Sequence, residues 1–173
     1  MKKNIILTLA LSVLGLSLFA SAQNFTYIGG VKCQICHKTE KQGQQYPIWE
    51  KSNHAKSFAA LSTPQAATNA QAAGVKDPTC DPKCLKCHAP LADKVAELKA
   101  EGVSCEACHG PGSAYKTLTI MKNRDEAIKN GLKLCTTPDA IKALCLTCHE
   151  TAHGKSFDFN ASWAKIKHAV PAK

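Results

Sequence analysis

Aromatic residues are scarce in this chain, with five Phe, three Tyr and two Trp in 173 residues. The stretch STPQAATNAQAAGVKDPTCDP, residues 62–82, is made of Ala, Pro and small polar residues. A chain so composed has little material for an ordinary apolar core. Its stability must come from elsewhere, as in small domains held together by disulfides, metals or cofactors. Long apolar runs are also missing after the first 22 residues, and no segment reads convincingly as a strand, which predicts little or no sheet. There is no clustered Lys/Arg run and no interleaving of aromatic with basic residues. Nucleic-acid binding therefore does not follow from the formal charge of +9. Methionine is limited to Met1 and Met121. Cysteine, by contrast, occurs ten times and histidine seven times.

The opening MKKNIILTLALSVLGLSLFASA pairs Lys2 and Lys3 with an apolar run from Ile5 to Ala20 and the small-residue ending Ala20-Ser21-Ala22. This is the pattern of a secretory signal cleaved after Ala22. A retained membrane anchor would need about 20 apolar residues, more than this run supplies. No cysteine follows the cut, which argues against a lipoprotein. The expected organisation is a signal peptide at 1–22 and one domain at 23–173, exported to the periplasm or beyond the cell.

Eight of the ten cysteines fall in four copies of Cys-x-x-Cys-His: Cys33, Cys36 and His37; Cys84, Cys87 and His88; Cys105, Cys108 and His109; Cys145, Cys148 and His149. In c-type haem attachment two thiols add across the haem vinyl groups, and the following histidine becomes the proximal iron ligand. A zinc ribbon or a redox dithiol also uses Cys-x-x-Cys, but neither needs a histidine after every second cysteine. Four covalently bound haem c groups are therefore expected, and these flat apolar bodies would replace the missing core. They also account for the charge. Loss of Lys2 and Lys3 leaves +7, and haem propionates and ferric cores bring this to about +3 oxidised or about −1 reduced. Cys80 and Cys135 remain, either as a disulfide or as free thiols.

Four haems have eight axial positions, and the chain has seven histidines. With His37, His88, His109 and His149 proximal, His54, His168 and His153 are the remaining candidates, imidazole being the strongest ligand available. The pattern predicts short helices separated by loops: a helix over Tyr46 to Leu61 with His54 at its middle, another from Pro90 to Gly102, one from a Thr137 cap through His149, and a last one from Asn160 to His168. Gly110-Pro111-Gly112 demands a turn directly after the third motif. The fold class is thus mainly α, with short helices and loops wrapped around four haems.

The chain resembles the tetrahaem cytochrome c-554 family of periplasmic multihaem cytochromes. The likeness rests on CQICH followed by Trp49 and HAKSF, on GVSCEACHGPG, on the fourth motif and on FDFNASWAKIKH. It implies distal-ligand roles for His54 and His168, three bis-histidine haems, and a five-coordinate haem on the second motif. That family has a further histidine some way after the Cys-His-Gly-Pro-Gly turn, where this chain has Tyr115 and no histidine between His109 and His149. Either His153 takes that role or a second iron lacks a histidine. The eighth position is then empty, water-filled, occupied by Met121, or filled by a histidine from a neighbouring molecule.

The function expected is a periplasmic electron carrier working between redox partner proteins, a quinol-oxidising enzyme or other cytochromes, favoured over a catalyst. One alternative is a small-molecule oxidoreductase acting on an N-oxide or peroxide at an open haem, with Asp81, Asp93 and Lys86 near the second motif as acid/base candidates. The other is a self-associating subunit of a haem-conducting filament.

Overall fold

The computed structural model describes residues 24–150 and 152–168; the expected signal peptide lies outside them. Among the described residues there are helices and turns and no strand, so the mainly α reading holds. The helices are α1 (Gly30–His37), α2 (Gln45–Lys51), α3 (Pro64–Ala72), α4 (Pro82–His88), α5 (Cys105–His109), α6 (Leu118–Met121), α7 (Arg124–Lys129), α8 (Pro138–His149) and α9 (Phe159–Ile166). Short 3₁₀ turns cover Glu40–Gln42, Ala59–Ser62, Ala96–Glu101 and Ala152–Gly154.

Each Cys-x-x-Cys-His motif ends a helix: α1, α4, α5 and α8 all close on the motif histidine. Helical spacing explains this. Residues three and four apart share a face, so the first cysteine, the second cysteine and the histidine project from one side of one turn. The starts of these helices are fixed locally. Asp81 accepts from Lys83 N–H at 2.8 Å with Pro82 at the first position, and Thr137 accepts from Ala140 N–H at 3.2 Å with Pro138 following. The helix expected after Thr137 therefore forms over the residues its cap predicts.

Two other expectations change. The span from Tyr46 to Leu61 is not one helix: α2 stops at Lys51, Ser52 turns extended, and Ala59–Ser62 is a 3₁₀ turn. Ser52 Oγ accepts from His54 N–H at 3.2 Å, while the His54 carbonyl accepts from Val103 N–H at 3.0 Å. The Val103 bond, joined by one from Val103 N–H to Ser57 Oγ at 3.1 Å, ties the segment to Val103 and outweighs its helical periodicity. Pro90 to Gly102 likewise forms turns and the Ala96–Glu101 3₁₀ segment. At the C-terminal end, α9 runs from an Asp158 cap to Ile166, leaving His168 beyond the helix.

The buried apolar residues among those described are Tyr46, Leu61, Ala70, Val75, Ala89, Leu91, Tyr115 and Ala127. Three are alanines, and no Phe, Trp or Ile is among them. An interior this thin is what the composition foretold.

Candidate functional site

The protein chain brings its histidines together in pairs. Ring centroids of His54 and His149 lie 6.1 Å apart, those of His88 and His153 6.0 Å, and those of His109 and His168 5.9 Å. A metal–imidazole nitrogen bond is about 2.0–2.1 Å and the ligating nitrogen sits roughly 1.1 Å from the ring centre, so two imidazoles sharing one metal have centroids about 6 Å apart. Each pair joins one motif histidine to one non-motif histidine. Among the described residues no group of three or more His, Cys, Asp or Glu side chains converges as a metal site. Pairs suit a haem, whose macrocycle supplies four of the six iron ligands and leaves two to the protein.

The backbone and neighbouring side chains orient several of these rings. His88 Nδ1 faces the Ser57 carbonyl at 2.8 Å, His109 Nδ1 the Lys133 carbonyl at 3.4 Å, and His168 Nδ1 the Ile166 carbonyl at 3.3 Å. His37 Nδ1 faces Gln45 Oε1 at 3.2 Å. With Nδ1 donating, Nε2 is the nitrogen left for a metal, which is how ligating histidines are commonly held. His149 is stacked on Phe157 with centroids 4.6 Å apart and planes at 12°. Burial, with smaller repulsion from His149, holds His54 below the usual imidazole range. His109 is lowered in the same way, by burial and then by His168. Both are neutral bases at neutral pH, the form that binds metal.

The space between one pair is a cavity of about 420 Å³, lined by His54, His149, Cys145, Phe157, Trp163 and Ile166 among others. It holds a motif cysteine, both candidate ligands and three large apolar side chains, so these residues fit a covalently attached haem.

Attachment cysteines from different motifs also meet. The Cys33 and Cys105 side chains are hydrogen-bonded, which lowers the Cys33 thiol and raises that of Cys105. Cys87 is pushed up to about 11 by burial and by its hydrogen bond with Cys148. Burial pushes Cys108 up to about 11, with Cys145, Cys135 and Cys148 near enough to add repulsion. Thioether formation would consume these thiols, so what matters is position: the first motif abuts the third, and the second abuts the fourth. Cys80 and Cys135 are exposed thiols, and no disulfide joins the described residues.

Sequence reasoning missed the carboxylates that lock the first motif to the third. Glu106, between Cys105 and Cys108, is 1% exposed. It accepts from Ile28 N–H at 3.0 Å, Gly29 N–H at 2.7 Å and Gly112 N–H at 2.6 Å. Glu101 accepts from Gly30 N–H at 2.8 Å, at the start of α1. Nothing in the pattern marks an x position of Cys-x-x-Cys-His as buried, and glutamate is ordinarily a surface residue. Ser57 was missed as well. Its hydroxyl donates to the His88 carbonyl at 2.7 Å, so the segment carrying His54 also holds the second motif.

Asp81 and Asp93, the acid/base candidates near the second motif, are engaged locally. The Asp81 carboxylate caps α4, and Asp93 pairs with Lys94 at 2.9 Å on the surface. The Tyr115 hydroxyl donates to the Gly110 carbonyl at 2.9 Å and the His109 carbonyl at 3.3 Å. The second motif, where the resemblance implies a five-coordinate haem, has the His153 ring set against His88.

Comparison with known proteins points the same way. Residues 32–110 match the family described as cytochrome c554 and c-prime. Cytochrome c-554 of Nitrosomonas europaea is 32% identical over 112 residues, which is 59% of this chain and 44% of the relative. The chain thus spans less than half the length of that curated relative. No solved structure matches.

Proposed function

We propose, from the match of residues 32–110 to the cytochrome c554 family and from the geometry of the histidines, that this chain is a periplasmic tetrahaem electron-transfer protein. The observation that carries the reading is the placement of three histidine pairs, each at the spacing of a shared metal and each ending on a Cys-x-x-Cys-His helix. In each, the motif cysteines would hold the haem and the two imidazoles would ligate its iron. Haem supplies the one-electron chemistry, and the protein supplies ligation, orientation and a low-dielectric setting. An iron carrying two histidines has no free position for a substrate, so such centres conduct.

The contacts between motifs give the conductor an order. Cys105 Sγ of the third motif lies against Gly30 at the start of the first-motif helix, Cys148 Sγ of the fourth is 4.0 Å from the Lys86 carbonyl of the second, and Cys145 and Cys148 are near enough to raise the Cys108 thiol. This proximity supports an order of motifs running first, third, fourth, second, along which electrons would pass if each motif held a haem. Its partners are proteins that donate and accept electrons. Export rests on the leader at 1–22; among the described residues no helix is long and apolar enough to cross a membrane.

An anaerobic redox titration of the mature holoprotein tests the reading. Four haems should titrate over a range of potentials, and the reduced protein should reoxidise with a second cytochrome as acceptor and no small substrate present. Reoxidation that requires a small molecule and fails with any protein acceptor would contradict it.

A further inference from the structure

All seven histidines lie within the described residues, so their pairing can be followed to the end. Six form three pairs, and no imidazole is set against His37. We propose that the iron held by the first motif is the open one, that His153 fills the second, and that the first haem is a binding site for small exogenous ligands of the nitric oxide or cyanide class. This rests on the haem reading above and departs from what the family resemblance implies, a vacancy at the second motif.

Two further observations support the assignment. His153 has φ 55° and ψ 28°, a left-handed conformation that only one other described non-glycine residue, Gln44, adopts. Such backbone is strained and persists only where the surroundings hold it. Here it returns the chain within four residues of His149 and delivers the imidazole to His88. The second observation concerns the groups that could substitute for a histidine at the first iron. The Tyr115 hydroxyl already donates to two backbone carbonyls and its side chain is buried. His37 itself is held for ligation: Gln45 donates its amide N–H to the Gln42 carbonyl, which turns Oε1 toward His37 Nδ1 and leaves Nε2 for the iron. The first motif thus has a fixed proximal ligand and no distal one from the other histidines.

Electron paramagnetic resonance of the ferric holoprotein, with cyanide and nitric oxide as probes, tests this. The wild type should show about one high-spin haem in four and bind about one equivalent of cyanide. His153→Ala alters an exposed loop residue and should raise the high-spin share to about two in four. The double variant Cys33→Ala/Cys36→Ala, which removes the first haem, should lose the high-spin signal and cyanide binding while three low-spin haems remain. An unchanged spectrum for His153→Ala, a wild type with no high-spin haem, or a high-spin signal that survives loss of the first haem would each overturn the assignment. So would a new high-spin haem in Met121→Leu, since Met121 would then be the missing ligand. Intact mass keeps the two readings apart: fewer than four bound haems in the wild type sinks the tetrahaem reading, whereas four haems with the wrong spin distribution sinks only this inference.

Discussion

His54 and Glu106 show how unequally single residues announce themselves. His54 stood out in the sequence because histidines are few, and its ring is set against the motif histidine His149. His54→Ala should convert one low-spin haem to high spin and raise its potential, leaving haem content at four; an unchanged spectrum would return His54 to a structural role. Glu106 carried no such signal. Its carboxylate satisfies three backbone N–H groups from two separate segments, and removing it strands them in the interior. Each buried group so orphaned costs about 1–3 kcal/mol. Glu106→Ala should therefore destabilise the holoprotein by at least about 3 kcal/mol in denaturant unfolding, and Glu106→Gln by less, since the amide retains one acceptor oxygen. A loss under about 1 kcal/mol for Glu106→Ala would show that water takes over these donors.

Elements were legible where local chemistry decides them. Thr137 and Pro138 cap and open α8 as their sequence demands, and the motif spacing by itself puts Cys145, Cys148 and His149 on one helical side. The segment from Tyr46 to Leu61 misled because its apolar spacing is helical, while the decisive interactions are remote: Trp49 Nε1–H donates to the Val103 carbonyl at 2.8 Å and the His54 carbonyl accepts from Val103 N–H. Periodicity cannot register a partner some fifty residues away. The same junction depends on Gly102, whose φ is 65° and where a Cβ would lie 2.5 Å from the His54 carbonyl and Ser57 Oγ. Gly102→Ala adds left-handed strain of about 1–2 kcal/mol to that clash. It should displace the His54 segment, so that thermal stability falls and the fourth haem loses low-spin character together. A variant that melts lower with all spectra intact would separate the junction from the ligand.

At the scale of the whole molecule, scarcity of aromatics and a thin set of buried apolar side chains describe one property from two sides. The described residues bury few large apolar side chains, so the polypeptide has little apolar core of its own. Expressed without haem attachment, the chain should be protease-sensitive and lack a cooperative thermal transition, whereas the holoprotein should resist digestion; a compact, cooperative apoprotein would show that the protein packs without its haems. The four Cys-x-x-Cys-His motifs were plain in the sequence, but which histidine is set against which was not. The pairing follows from how distant segments such as 152–158 return to the motif helices, which motif spacing does not specify. The proposed function rests on covalent haem, and intact-mass spectrometry of the purified holoprotein tests that most directly. A chain beginning at Gln23 and carrying four haem masses is expected; a mass without haem, with bound zinc or with five disulfides in its place, would contradict it.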